Sequence, residues 1–116
     1  MTIRGKSHLE EGFANLWRLL AGEPEPQREF KFHAKRNWRF DFAWPEYLVA
    51  VEMEGGIFMP KGGHRSIGKY MVDSEKYNEA AVLGWRVIRF NAKDIKDRPA
   101  QCIDVVQRAI ELNRGA

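Results

Sequence analysis

Two apolar runs joined by a four-residue turn constrain this chain more than any other feature. Trp38-Arg39-Phe40-Asp41-Phe42-Ala43-Trp44 alternates large apolar residues with others, the pattern of a half-buried strand. Trp44-Pro45-Glu46-Tyr47 puts proline at the second position of a tight turn, and Leu48–Glu54 returns as the partner strand of a hairpin. Side chains two apart share a strand face. Val49, Val51 and Met53 therefore face one side, and Glu52 and Glu54 stand together on the other, just before Gly55-Gly56. Asp41 lies in the neighbouring run. Carboxylates about 4 Å apart repel by about 4 kcal/mol per pair at an effective dielectric near 20. Protonation or a cation must relieve that repulsion. Clustered carboxylate oxygens at strand ends suit Mg²⁺ or Mn²⁺. The competing readings are an Asp41–Arg39 ion pair and a solvated Glu52/Glu54 face. Leu48 and Ala50 share that face, which favours a metal site.

The remaining elements follow from periodicity and punctuation. Ser7-His8-Leu9-Glu10 reads as a capping box, followed by Leu9, Phe13, Leu16, Trp17 and Leu20 at helical spacing, with Gly22 as the stop. Glu23-Pro24-Glu25-Pro26 is a connector, residues 29–33 a short strand, and His33-Ala34-Lys35-Arg36-Asn37 a polar loop. After the hairpin, Gly55, Gly56, Gly62, Gly63 and Gly68 mark a long loop without apolar periodicity, a length that suggests function. Asp73 or Ser74 then caps a helix ending at Gly84, Trp85–Phe90 is a strand, and Pro99 opens a last helix burying Ile103, Val106 and Ile110. The order is helix, three strands, helix, strand, helix.

At 116 residues this is expected to be one domain, 1–116. Lys and Arg outnumber Asp and Glu by only 19 to 16, but unevenly. Residues 28–39 hold Arg28, Lys31, Lys35, Arg36 and Arg39 against Glu29 alone, and residues 55–72 hold Lys61, His64, Arg65 and Lys69 with no acid. Basic patches beside an acidic cluster fit a polyanion that is bound and then acted on with a metal. The single cysteine, Cys102, excludes an internal disulfide and a Cys-rich zinc site, and reads as a small buried hydrophobe. Met1-Thr2-Ile3-Arg4-Gly5-Lys6 lacks the apolar core of a signal peptide, and no run approaches about 20 apolar residues, so a cytoplasmic protein is expected.

The order of elements, with Asp41 in the second strand and Glu52-Met53-Glu54 ending the third, resembles the PD-(D/E)xK nuclease superfamily. Trp38-Arg39-Phe40-Asp41-Phe42, Glu52-Met53-Glu54-Gly55-Gly56, His64, Asp73-Ser74-Glu75-Lys76-Tyr77-Asn78 and Gly84-Trp85-Arg86-Val87-Ile88-Arg89 together look like its very-short-patch repair (Vsr-like) branch. Small phage and bacterial proteins of that branch are often called resolvase-like or endonuclease-like. The resemblance covers roughly residues 30–90. It implies an αβββαβ restriction-endonuclease-like core, with a mixed central sheet flanked by helices and here an extra C-terminal helix. It also implies a Mg²⁺-dependent DNA endonuclease of repair or recombination, with Mn²⁺ able to substitute, in a phage or bacterial setting; the zinc site of that branch is not expected, because its cysteines are missing here.

Carried over residue by residue, Asp41 is the central metal ligand, Glu52 the second acid and the Met53 backbone oxygen a further ligand. Glu54 stands where the family most often has lysine, and Lys76 from the following helix is the natural replacement. His64 matches a histidine near the scissile phosphate. Asp41, Glu52, Glu54, His64 and Lys76 thus form the expected catalytic set, and Glu10 or Glu11 a possible additional acid, although the capping box already accounts for Glu10. Lys35, Arg36, Arg39, Lys61, Arg65 and Lys69 are the expected nucleic-acid contacts. His33 reads as structural or exposed, and base stacking by Trp38 as secondary to packing. DNA is the expected partner with RNA open, and a homodimer would supply paired cuts. The alternative is a non-catalytic nucleic-acid-binding module or accessory subunit that keeps the fold.

Overall fold

In a computed structural model the chain is described over residues 4–54 and 74–114, with side chains from residue 8 onward. The elements are α1 (Arg4–Leu20), β1 (Gln27–Lys31), β2 (Arg39–Trp44), a 3₁₀ turn (Pro45–Tyr47), β3 (Val49–Glu54), α2 (residues 74–82), β4 (Arg86–Asn91), α3 (Ala92–Asp97) and α4 (Pro99–Arg114). They build a mixed α/β fold on a four-stranded sheet of order β1-β2-β3-β4. The first three strands are antiparallel neighbours, and β4 lies parallel to β3. The fold class is the expected αβββαβ with a C-terminal helix. The short helix α3 is an addition, started by a capping box in which Asn91 accepts from the Asp94 N–H and Asp94 accepts from the Asn91 N–H.

Helices cover both sheet faces. On one side Phe13 and Trp17 of α1 and Cys102, Ile103, Val106 and Ile110 of α4 pack on Phe42, Trp44, Val49, Val51, Met53 and Phe90. Phe13 and Phe42 have ring centroids 4.9 Å apart, and Trp17 and Trp44 4.8 Å. Both indole N–H groups converge on the Pro24 carbonyl oxygen, at 3.0 and 2.7 Å, which ties the connector to this core. On the other side Ala80 of α2 packs with Phe40, Ala43 and Ala50, flanked by Phe30, Phe32 and Trp85. Gly84 ends α2 at φ +89°, a backbone that side chains with a Cβ rarely adopt.

Two expectations are corrected. Strand β2 is buried on both faces from Phe40 to Trp44, because α2 covers the face that a two-layer reading leaves to solvent. Its alternation also breaks at Asp41, since Phe40 packs with Ala43 whereas Phe42 packs with Trp44. The partners of Phe40 and Phe42 on β1 are Phe30 and Arg28, and between them Glu29 adopts φ +51°. A non-glycine residue in the left-handed region costs roughly 1–2 kcal/mol. The second correction is that α1 is already running at Arg4, so Ser7 lies inside the helix and the Ser7–Glu10 pattern does not begin it.

Candidate active site

The β2–β3 ladder is regular over Phe42–Val51, Ala43–Ala50 and Trp44–Val49. Beyond Phe42 two carboxylates take over. Glu52 Oε2 accepts the Asp41 backbone N–H at 2.9 Å, and Asp41 Oδ2 accepts the Met53 backbone N–H at 2.7 Å. Both acids are buried, Asp41 at 4% exposure and Glu52 at 5%. A buried carboxylate is tolerated only when hydrogen-bonded or paired. Here the side chains substitute for the strand ladder itself, which locks them to the backbone they replace.

Helix α2 supplies the counter-charge. Lys76 Nζ lies 2.9 Å from Glu52 Oε1 and the Tyr77 hydroxyl donates to the same oxygen at 2.8 Å. Burial, and then the Glu52 charge, push the Tyr77 phenol well above its usual range, so the hydroxyl stays a donor. Glu54, the last residue of β3, takes a hydrogen bond from Arg89 Nε of β4 at 2.8 Å, and the Arg89 guanidinium lies 4.4 Å from the Tyr77 ring centroid. The Glu52/Glu54 repulsion expected from the sequence is therefore relieved by cations of the chain itself, one from α2 and one from β4.

A second group of acids meets Asp41. Ligand oxygens of Glu10 from α1, Glu29 from β1 and Asp41 all lie within 4.8 Å of one another. The left-handed backbone of Glu29 and the break at Asp41 occur where this group assembles. Arg28 borders it, with Nη2 2.8 Å from Glu11 Oε2 and 3.8 Å from Glu10 Oε1. The hydrogen bond from Arg28 holds the Glu11 carboxyl below its usual range. These donors are all hard oxygens drawn from three separate elements, a set that fits Mg²⁺ or Mn²⁺.

Of the expected catalytic set, Asp41, Glu52, Glu54 and Lys76 fall at this end of the sheet, and His64 lies outside the described residues. Glu10 joins Asp41, whereas Glu11 turns to Arg28. Met53 contributes its backbone N–H to Asp41. Lys35, Arg36 and Arg39 are exposed on and beside the β1–β2 loop, and Lys61, Arg65 and Lys69 lie outside the described residues. Sequence reasoning missed Glu29, Tyr77 and Arg89. Tyr77 follows Lys76 in the string that carried the resemblance, and its position on α2 was the available signal.

No family model matches this chain, and no solved structure matches it. Two uncharacterized proteins from two strains of Mycobacterium tuberculosis are each 25% identical to it over 108 residues. The match takes in 91% of this chain and 38% of each relative, so the chain spans well under half the length of the relatives it matches. Among the described residues no helix is long and apolar enough to cross a membrane.

Proposed function

We propose that this chain is a Mg²⁺-dependent DNA endonuclease of PD-(D/E)xK type, working in the cytoplasm and nicking DNA or cutting branched DNA and repair intermediates. The observation that carries the reading is the Lys76 ammonium 2.9 Å from buried Glu52, whose other oxygen holds the backbone of Asp41. The resemblance makes Lys76 the natural replacement for the lysine whose place Glu54 occupies, and its position beside Glu52 supports that role.

Asp41 with Glu10 and Glu29 would hold the ion. When bound, a divalent ion polarises the phosphate and lowers the pKa of a coordinated water. The chain's own groups supply the rest. Glu52 and the Met53 N–H fix Asp41 in place, Lys76 offsets negative charge on phosphate oxygens, and Glu54, held by Arg89, would accept a proton. Hydrolysis forms a bond from water oxygen to phosphorus, breaks the bond to the leaving deoxyribose oxygen, and delivers a proton to that oxygen. Lys35, Arg36 and Arg39 would attract the DNA backbone. A homodimer would place two such sites for paired cuts.

One observation favours the non-catalytic alternative. Both Glu52 oxygens already accept hydrogen bonds from the protein, as a purely structural buried network would require. Incubation with supercoiled plasmid and with a four-way junction, in Mg²⁺, Mn²⁺ or EDTA, separates the two. Cleavage in either metal that EDTA stops, and that Asp41→Asn lowers at least 100-fold with the fold retained, is the expected result. DNA binding without cleavage in either metal overturns the enzyme and leaves the binding module.

A further inference from the structure

A column of flat groups runs from the candidate site to the surface. Phe40, next to Asp41, is fully buried and stacks on Phe32 with rings 5° from parallel and centroids 4.1 Å apart. Phe32 stacks on Trp38 at 18° and 6.2 Å. The Arg36 guanidinium covers Trp38, its carbon 4.1 Å from the ring centroid. At the inner end Lys76 Nζ lies 5.7 Å from the Phe40 centroid, so the column begins beside the Lys76–Glu52 pair.

Its outer end is held in place. His33 Nδ1 accepts the backbone N–H groups of both Lys35 and Arg36, at 3.2 and 3.0 Å, which folds the loop into a tight turn. The His33 ring meets Trp38 edge-on at 5.0 Å and its Nε2 lies 3.4 Å from Glu79 of α2. Glu75, one turn earlier on α2, pairs with Arg36 Nη1 at 3.3 Å. The guanidinium is thus fixed in position, although it is itself exposed. A planar cation resting on tryptophan, with Lys35 and Arg39 near it in the chain and Glu75 and Glu79 on the α2 side, is a stacking plate for a nucleobase.

We propose that the Arg36–Trp38 end of this column binds one unpaired nucleobase of a DNA strand, so that the site engages DNA where a base has left the duplex. The inference deepens the nuclease reading and rests on its DNA-binding half. The base stacks on the outer face of the guanidinium, and Lys35 and Arg39 take the flanking phosphates. Arginine is required because lysine carries the charge without the plane.

The test is fluorescence anisotropy in EDTA with a labelled single-stranded DNA oligomer and a series in which one abasic residue is walked along it. For the wild-type protein one abasic position weakens binding about tenfold, within the range that base stacking on aromatic groups provides. Arg36→Lys and Trp38→Ala bind intact and abasic oligomers equally, Trp38→Phe keeps the difference, and the Arg36→Lys salt slope stays at the wild-type value because the charge is retained. Circular dichroism of each variant checks that the fold survives. A flat abasic series for the folded wild-type protein overturns the stacking site. If metal-dependent plasmid cleavage persists beside that flat series, only this inference falls and the nuclease reading stands.

Discussion

Replacing Glu52 by glutamine should destabilise the fold as well as change the site. Three donors converge on this carboxylate: the Asp41 N–H on Oε2, and Lys76 and Tyr77 on Oε1. A glutamine offers one oxygen and one NH₂ group, so at least one of these donors then faces another donor. A buried donor left without an acceptor costs roughly 1–3 kcal/mol. Lys76, its side chain only 13% exposed, also loses its counter-charge. Removing one partner of a buried pair costs about 3–5 kcal/mol. The residual exposure of Lys76 sets the total near the lower end, about 3 kcal/mol, a large share of the roughly 5–15 kcal/mol that holds a domain folded. For a chain of this length Tm should fall by about 10 °C. Urea unfolding at pH 7, followed by circular dichroism, reads the change as a lower midpoint at unchanged slope. Lys76→Met alone should cost a similar amount, and the double variant less than the sum, by about 1–3 kcal/mol of coupling. A Glu52→Gln midpoint within about 0.5 kcal/mol of wild type, or additive single and double variants, would refute the buried pair.

Asp41→Asn should be the milder change, because asparagine keeps an oxygen for the Met53 N–H. Its unfolding midpoint should stay within about 1 kcal/mol of wild type, while Mn²⁺ binding measured by calorimetry should be lost. The Tyr77 phenol is raised by burial and by Glu52, so its stabilising contribution is present below the unfolded tyrosine pKa and is lost as pH rises past about 10. Unfolding between pH 8 and 11 should therefore show a loss of stability that Tyr77→Phe removes. Asn91→Ala deletes the cap of α3 and should cost about 1 kcal/mol in the same urea assay.

The hairpin strands were legible because alternation and turn chemistry are local, whereas β1, expected at residues 29–33, runs over Gln27–Lys31. Trp38–Trp44, the Pro45 turn and Leu48–Glu54 give the hairpin without reference to the rest of the chain, and the structure moves its boundaries by one residue. The place of Lys76 was also legible, since the following helix was expected to bring it to the acids, and its ammonium lies 2.9 Å from Glu52. What was not legible depends on tertiary packing. The break at Asp41 arises from strand partners and from helices on both faces, and alternation in one strand cannot reveal it. Glu10 was explained by a Ser-x-x-Glu pattern that recurs inside helices, so its approach to Asp41 needed the packing of α1 to be seen. Helix α3 is six residues long and mostly charged, too short for a periodic signal, although Asn91-Ala92-Lys93-Asp94 carries its capping chemistry in plain sight.

The two polar groups at this end of the sheet divide the work between its faces. Glu52, Lys76 and Tyr77 belong to the α2 side, which Ala80 and Phe40 pack. Glu10 comes from α1, whose Phe13 and Trp17 pack on the opposite side. Asp41 is the residue common to both, tied by its N–H to Glu52 and grouped by its carboxylate with Glu10 and Glu29. The buried Glu52–Lys76 pair then acts as a positioning element for Asp41. Under the proposed nuclease reading the Glu10, Glu29 and Asp41 oxygens would hold the divalent cation, with Glu52 beside Asp41 and paired to Lys76.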